Sequence, residues 1–108
     1  MLVTNDEESL QRQVDGEKVV IVQFGAESCN PCKAIKNKIE CWNKEHTNIE
    51  CIYVPTEESQ KMCGQMGVFA VPTIFVYVAG KLTIQESGYF SLTDILIKAE
   101  QYSSMICE

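Results

Sequence analysis

The sequence predicts an α/β fold: a mixed sheet of four to five strands with helices on both faces, a three-layer α/β/α arrangement. Three features of the 108-residue chain carry this expectation. Helical and strand-like segments alternate, and crossover helices between strands imply parallel pairing. Lys18–Phe24 is a near-continuous run of apolar, mostly β-branched residues, the mark of a strand buried on both faces. Further on, Ala79-Gly80-Lys81 is a tight-turn signal between two strand-like segments and implies an antiparallel edge.

The elements follow in order. Asp6–Val14 reads as a short helix with Asn5 as its N-cap. The buried strand Lys18–Phe24 comes next, then a turn marked by Gly25, Ser28, Asn30 and Pro31. From Cys32 to about His46 the period is helical, with Cys32, Ile35, Ile39 and Trp42 on one apolar stripe. Ile49–Val54 is a strand, Glu57–Met66 a short helix closed by Gly67, and Thr73–Val78 a third strand. The turn at Gly80 leads into Leu82–Glu86, and Ser91 or Thr93 caps a last helix reaching about Tyr102.

The length suits a single domain over residues 1–108. The composition, 45% hydrophobic and 22% charged, is ordinary for a globular protein. A net charge of −6 argues against nucleic acid and anionic membranes as partners, since both attract basic surfaces. The first residues lack a basic start followed by an apolar stretch, so no secretory leader is expected. Val19–Val22 and Val71–Ala79 are far too short to span a bilayer. Cys107, second from the end, does not form a prenylation motif. Six cysteines would also suit a secreted disulfide scaffold, but such scaffolds replace a core they cannot build. Long apolar strands favour reduced cysteines in the cytoplasm instead.

Chemistry concentrates at Cys29-Asn30-Pro31-Cys32, where a buried strand ends and a helix begins. The spacing lets two sulfurs meet across one turn. Pro31 fits the first helical turn, where its missing N–H is not needed. A helix N-terminus stabilises a thiolate through free N–H groups and the macrodipole. A thiol of pKa about 8.5 is about 3% ionised at pH 7, and one of pKa about 7 about half. That is a roughly 16-fold gain in thiolate, offset about fivefold by lower nucleophilicity. Cys29, first and in the loop, is expected to attack; Cys32, heading the apolar stripe, to resolve the mixed disulfide. Inert thiols or half a metal site are the bland readings of the same pair.

The segment Val22-Gln23-Phe24-Gly25-Ala26-Glu27-Ser28-Cys29-Asn30-Pro31-Cys32-Lys33 resembles the active-site segment of the thioredoxin family. So does Gly67-Val68-Phe69-Ala70-Val71-Pro72-Thr73, followed by an apolar strand, Gly80-Lys81 and later Gly88. The resemblance covers nearly the whole chain. It implies a thioredoxin-like fold, a cis bond before Pro72, and substrate binding along Ser28, Asn30, Pro31, Val71, Pro72 and Gly88. The backbone at Val71 would pair with an extended substrate segment. Five positions depart from the family pattern, one of them Asn37, which stands where the family's helix has a proline and implies a straighter helix. The family's two tryptophans are replaced by Ser28 and Gly25, implying a flatter, less apolar docking surface. Its buried aspartate is Gln23, which cannot take up a proton in this range. Its Gly-Pro between the cysteines is Asn30-Pro31.

The remaining candidates read as structural. Cys41 lies nine residues beyond Cys32, on the opposite face of the helix and over about 13 Å away, so the two cannot share a metal, and none is expected. Cys51 reads as a buried strand thiol, Cys41 and Cys63 as partly exposed thiols, and Cys107 as part of a frayed tail. His46, the one histidine, stands at the far end of the helix, roughly 20 Å from Cys29. No dinucleotide or phosphate loop is present and no cofactor is implied; electrons must come from a partner. The resemblance therefore implies a monomeric protein-disulfide reductase re-reduced by a thioredoxin-reductase-like enzyme. An oxidase or isomerase using the same pair, and a binding module built on the same fold, are the alternatives.

Overall fold

The computed structural model describes residues 1–106. At its centre lies β2 (Val19–Gly25), buried along its whole length. The chain enters through a two-residue strand, β1 (Leu2–Val3), and helix α1 (Glu7–Val14). After β2 come α2 (Asn30–Asn43), β3 (Glu50–Pro55), a 3₁₀ turn at Thr56–Glu58 and α3 (Gln60–Gln65). Strands β4 (Thr73–Val78) and β5 (Lys81–Ser87) and helix α4 (Leu92–Ile106) complete it. The sheet order is β1-β3-β2-β4-β5. Strand β3 runs parallel to β1 and β2, whereas β4 is antiparallel to β2 and β5. No helix among the described residues is long and apolar enough to cross a membrane.

Local chemistry explains the boundaries. Asp6, not Asn5, caps α1: it has the extended backbone of a cap (φ −137°, ψ 150°) and accepts the Ser9 N–H at 2.8 Å. Hydrogen bonds from the Ser9 backbone and then its side chain hold the Asp6 carboxyl below its usual range. Ser91 rather than Thr93 caps α4, its Oγ accepting the Asp94 N–H at 3.2 Å. The expected helix from Glu57 to Met66 is broken at Ser59 (φ −139°, ψ 33°), leaving the 3₁₀ turn and a six-residue α3. Ala79 and Gly80 both have positive φ (51° and 82°), the backbone of a two-residue hairpin turn that matches strand twist.

Alternation along β2 divides the core. Val20, Val22 and Phe24 face α1 and α3 with Leu10, Val14 and Met62, and the Phe24 and Phe75 rings meet edge to face at 4.9 Å. Val19 and Ile21 face α2 and α4 with Ile39, Ile95 and Ala99. Gln23 and Gly25 continue that second face, so the sheet delivers them beneath the head of α2. Ile35 and Trp42 pack on this core as the stripe predicts.

The cysteines outside the pair separate cleanly. Cys51 is buried on β3, and burial pushes its thiol up to about 12. Cys63 is only 4% exposed, against the expectation of partial exposure. The short α3 turns Met62 and Cys63 into the core together, and burial raises the thiol. Cys41 is exposed. Cys107 lies outside the described residues. In the reduced native protein near pH 7, an alkylating reagent is expected to modify Cys29 first and Cys41 more slowly. Cys51 should react only on unfolding, since a thiol of pKa about 12 is about one part in 10⁵ ionised at neutral pH, and Cys63 likewise, because it is buried and its thiol is raised. Mass mapping of labelled peptides checks the order; native-state labelling of Cys51 as fast as Cys41 would show that β3 opens.

Candidate active site

Strand β2 ends at Gly25, and a short turn carries the chain into α2. Three bonds hold that turn. The Thr56 hydroxyl donates to the Gly25 carbonyl at 3.2 Å, the Glu27 N–H to the Glu57 carboxylate at 3.0 Å, and the Cys29 N–H to the Ala26 carbonyl at 3.1 Å. The helix begins at Asn30, two residues before the expected start, because Cys29 serves as its N-cap. Cys29 has extended backbone (φ −95°, ψ 101°), and its Sγ accepts the Cys32 N–H at 3.2 Å. Pro31 occupies the first turn, where its missing N–H has no partner to lose. Cys29 and Cys32 are joined as a disulfide with their Cα atoms 5.3 Å apart. Cys29 is half-buried, while Cys32 is 1% exposed. The helix terminus thus points an N–H at the sulfur that lies nearer the surface, which favours negative charge there.

Opposite the pair, the Val71–Pro72 bond is cis, as the resemblance implies. The loop is fastened at both ends. The Thr73 hydroxyl donates to the Ala70 carbonyl at 2.7 Å, and the Gly88 N–H donates to the Pro72 carbonyl at 3.0 Å. Pro31, Val71, Pro72 and Gly88 line one groove of 750 Å³. Ser28 and Val71 line a second, of 520 Å³. Val71 therefore separates two depressions beside the sulfurs. Asn30 is exposed and lines neither.

Two aromatics that the sequence reading did not single out flank this region. Phe69, 86% exposed, borders the second groove, and fully exposed Tyr89 borders the first. The expected flat, weakly apolar surface is thus corrected: aromatic area comes from the loops around Pro72 and Gly88. The available signal was an aromatic placed beside each of these turn residues, where no strand or helix face could bury it.

Beneath the pair lies a polar group. Gln23 is fully buried; its Nε2 donates to the Cys32 carbonyl at 2.8 Å, while its Oε1 has no partner among the described residues. Its register neighbour on β3 is Tyr53, also absent from the sequence reading. A Cβ at Gly25 would stand 2.8 Å from the Tyr53 hydroxyl and 3.1 Å from Cys32 Cβ. Tyr53 therefore leaves no room for a side chain at Gly25, where the family pattern has a tryptophan. Lys36 Nζ sits 4.7 Å over the Tyr53 ring. Burial, and after it the charges of Glu57, Glu27 and Glu58, raise the phenol above its usual range. His46 is remote and structural: its Nδ1–H donates to the Trp42 carbonyl at 2.8 Å, and its ring stacks on Trp42 at 4.0 Å.

Comparison with known proteins agrees with this geometry. The family model described as Thioredoxin matches residues 1–101. Thioredoxin-1 of Schizosaccharomyces pombe is 31% identical over 77 residues, covering 71% of this chain and 75% of that protein. The thioredoxin of Ovis aries is 30% identical over 73 residues, covering 68% of this chain and 70% of its own. The X-ray structure of Fasciola hepatica thioredoxin superposes with a TM-score of 0.80 at 27% identity, covering 94% of this chain and 99% of that one.

Proposed function

Because the chain belongs to the thioredoxin family and is a protein disulfide oxidoreductase, we propose that it acts as a reductant of protein disulfides in the cytoplasm. A thioredoxin-reductase-like enzyme returns its electrons. The observation that carries this reading is the Cys29–Cys32 disulfide at the head of α2, beside the groove lined by Val71 and Pro72. In the reduced protein the Cys29 thiolate attacks a substrate disulfide. A Cys29–substrate disulfide forms, and one substrate sulfur leaves as a thiolate that takes up a proton. Cys32 then attacks Cys29 Sγ, closing the internal disulfide and releasing the second substrate thiol. An extended substrate segment pairs with the Val71 backbone between the two grooves, with Ser28, Pro31, Pro72 and Gly88 around it and Asn30 at the rim.

The equilibrium potential of the pair, measured together with turnover by a thioredoxin reductase, tests the direction. A potential near about −270 mV, the value known for thioredoxin itself, supports a reductant; about −180 to −120 mV would assign an oxidase or isomerase. Binding of partners without any turnover would assign a binding module. Exposed Phe69 and Tyr89 supply docking area on this reading. Joint replacement by alanine is expected to raise KM for a protein disulfide about fivefold or more, with kcat nearly unchanged, as truncation of an interface aromatic costs about 1 kcal/mol or more. A small-molecule disulfide, too small to reach both rings, should be reduced as before. Equal loss on both substrates would remove the two residues from docking.

A further inference from the structure

We propose that the Tyr53 hydroxyl is the relay through which the Cys32 proton leaves the site when the mixed disulfide is resolved. The inference rests on Cys32 being the resolving thiol, as read above.

Three observations support it. A single Cβ placed on Gly25 would touch both the Tyr53 hydroxyl and Cys32 Cβ. The phenol oxygen and Cys32 Cβ therefore border the same space, the one a Gly25 side chain would fill. Second, Gln23 is tied to the Cys32 carbonyl through Nε2, and its fully buried Oε1 has no partner among the described residues. Gln23 cannot take up a proton in this range, so the proton of a reduced Cys32 must pass to another group. Third, Tyr53 is only partly buried. Its other side lines a surface depression with Glu27, Glu57 and Glu58, and with Lys33 and Lys36 of α2. One phenol thus joins an enclosed thiol to a carboxylate-lined opening.

The chemistry balances without a further reactant. Cys32 is a neutral thiol in the mixed disulfide. Its proton passes to the Tyr53 oxygen as the Tyr53 O–H gives its own to a carboxylate or water in the depression. The Cys32 thiolate then attacks Cys29 Sγ, the Cys29–substrate bond breaks, and the electron pair leaves on the substrate sulfur, which takes a proton from solvent. Tyr53 is a phenol before and after. The acidic neighbours and burial that keep it protonated through neutral pH suit a group that must accept and donate in one event. Gln23, unable to take up a proton, stays tied to the Cys32 carbonyl.

Single-turnover kinetics with a small disulfide substrate, run from pH 6 to 9, test the relay in the full chain. Tyr53→Phe keeps the ring beneath Lys36. It is expected to form the mixed disulfide at the wild-type rate and to resolve it about tenfold more slowly at pH 7, a modest share of the effect of a positioned proton-transfer group. The deficit should close toward pH 9, where hydroxide removes the thiol proton directly. A purely structural role would slow both steps and would not converge with pH. Gly25→Ala, which sets a methyl between the two groups, should give the same pattern with Tyr53 in place. Resolution by Tyr53→Phe at the wild-type rate across the range overturns the relay. So does the lack of a solvent deuterium effect on resolution in the wild type at pH 7, a measurement that needs no variant to fold. If neither the wild type nor Cys32→Ser forms a mixed disulfide, the cysteine assignment itself fails, and the relay falls with it.

Discussion

Cys29→Ser is expected to abolish disulfide reduction, by about three orders of magnitude or more, because a serine hydroxyl is not ionised near neutral pH and supplies no leaving group for the second step. The fold should survive. Cys29 caps α2 by accepting the Cys32 N–H, and serine is among the best residues for that task. Cys32→Ser should also stop turnover, but by a different route. Its Cys29 remains half-buried at the turn, still forms the mixed disulfide, and has no partner sulfur to release it. One substrate per protein should therefore accumulate, visible by mass spectrometry and cleared by a strong reductant. Accumulation in Cys29→Ser, with none in Cys32→Ser, would exchange the two roles.

Gln23→Asp is expected to have the second largest effect, and a divided one. The position is fully buried between β3 and β4, and the shorter side chain gives up the 2.8 Å bond to the Cys32 carbonyl. Among the described residues no cation bonds to Gln23, so a carboxylate there is left without a charged partner. The cost should be about 3 kcal/mol or more, lowering Tm by about 10 °C or more. The sign with pH follows from linkage. Burial raises the folded carboxyl above its unfolded value of about 3.9. The deficit relative to wild type is therefore smallest below about pH 4, where only the lost hydrogen bond acts, grows as pH rises from there to the folded value, and then levels off. Thermal melts of both proteins at pH 4 and 7.5 check this. Where the variant stays folded, the new base beside Cys32 should speed resolution of the mixed disulfide; equal melting at both pH values would show that the group is solvated.

The parts of the fold that could be read from the sequence are those fixed by strong local chemistry. β2 declared itself through a run of β-branched residues, and the β4–β5 hairpin through Gly80. The cysteine pair stood out because strand, turn and helix signals converge on it. Other features depend on distant parts of the chain. β1 is two residues long and exists because Leu2 and Val3 find Ile52 and Tyr53 in register; no pattern can show in so short a span. α3 starts late because Ser59 leaves the helical region just before it, which the sequence pattern does not show. Tyr53 sits in an ordinary apolar strand and gains its position only when β3 lies beside β2 and places it against Gly25. Phe69 and Tyr89 are apolar residues that the loops leave outside the core, contrary to the usual direction of burial.

A disulfide carrier of the proposed kind must also avoid pairing with its own copies, and the sheet edges bear on this. An open edge strand is a template for another chain. One edge here, β1, offers only two residues, Leu2 and Val3. The other, β5, is long and largely exposed, but carries Lys81 and Glu86, and the ladder beside it shifts register between Val76 and Tyr77. Charge and irregularity at an edge both discourage lateral association. On the proposed reading, main-chain recognition is confined to the Val71 loop beside the sulfurs, where forming a backbone pair leads to chemistry rather than to a filament.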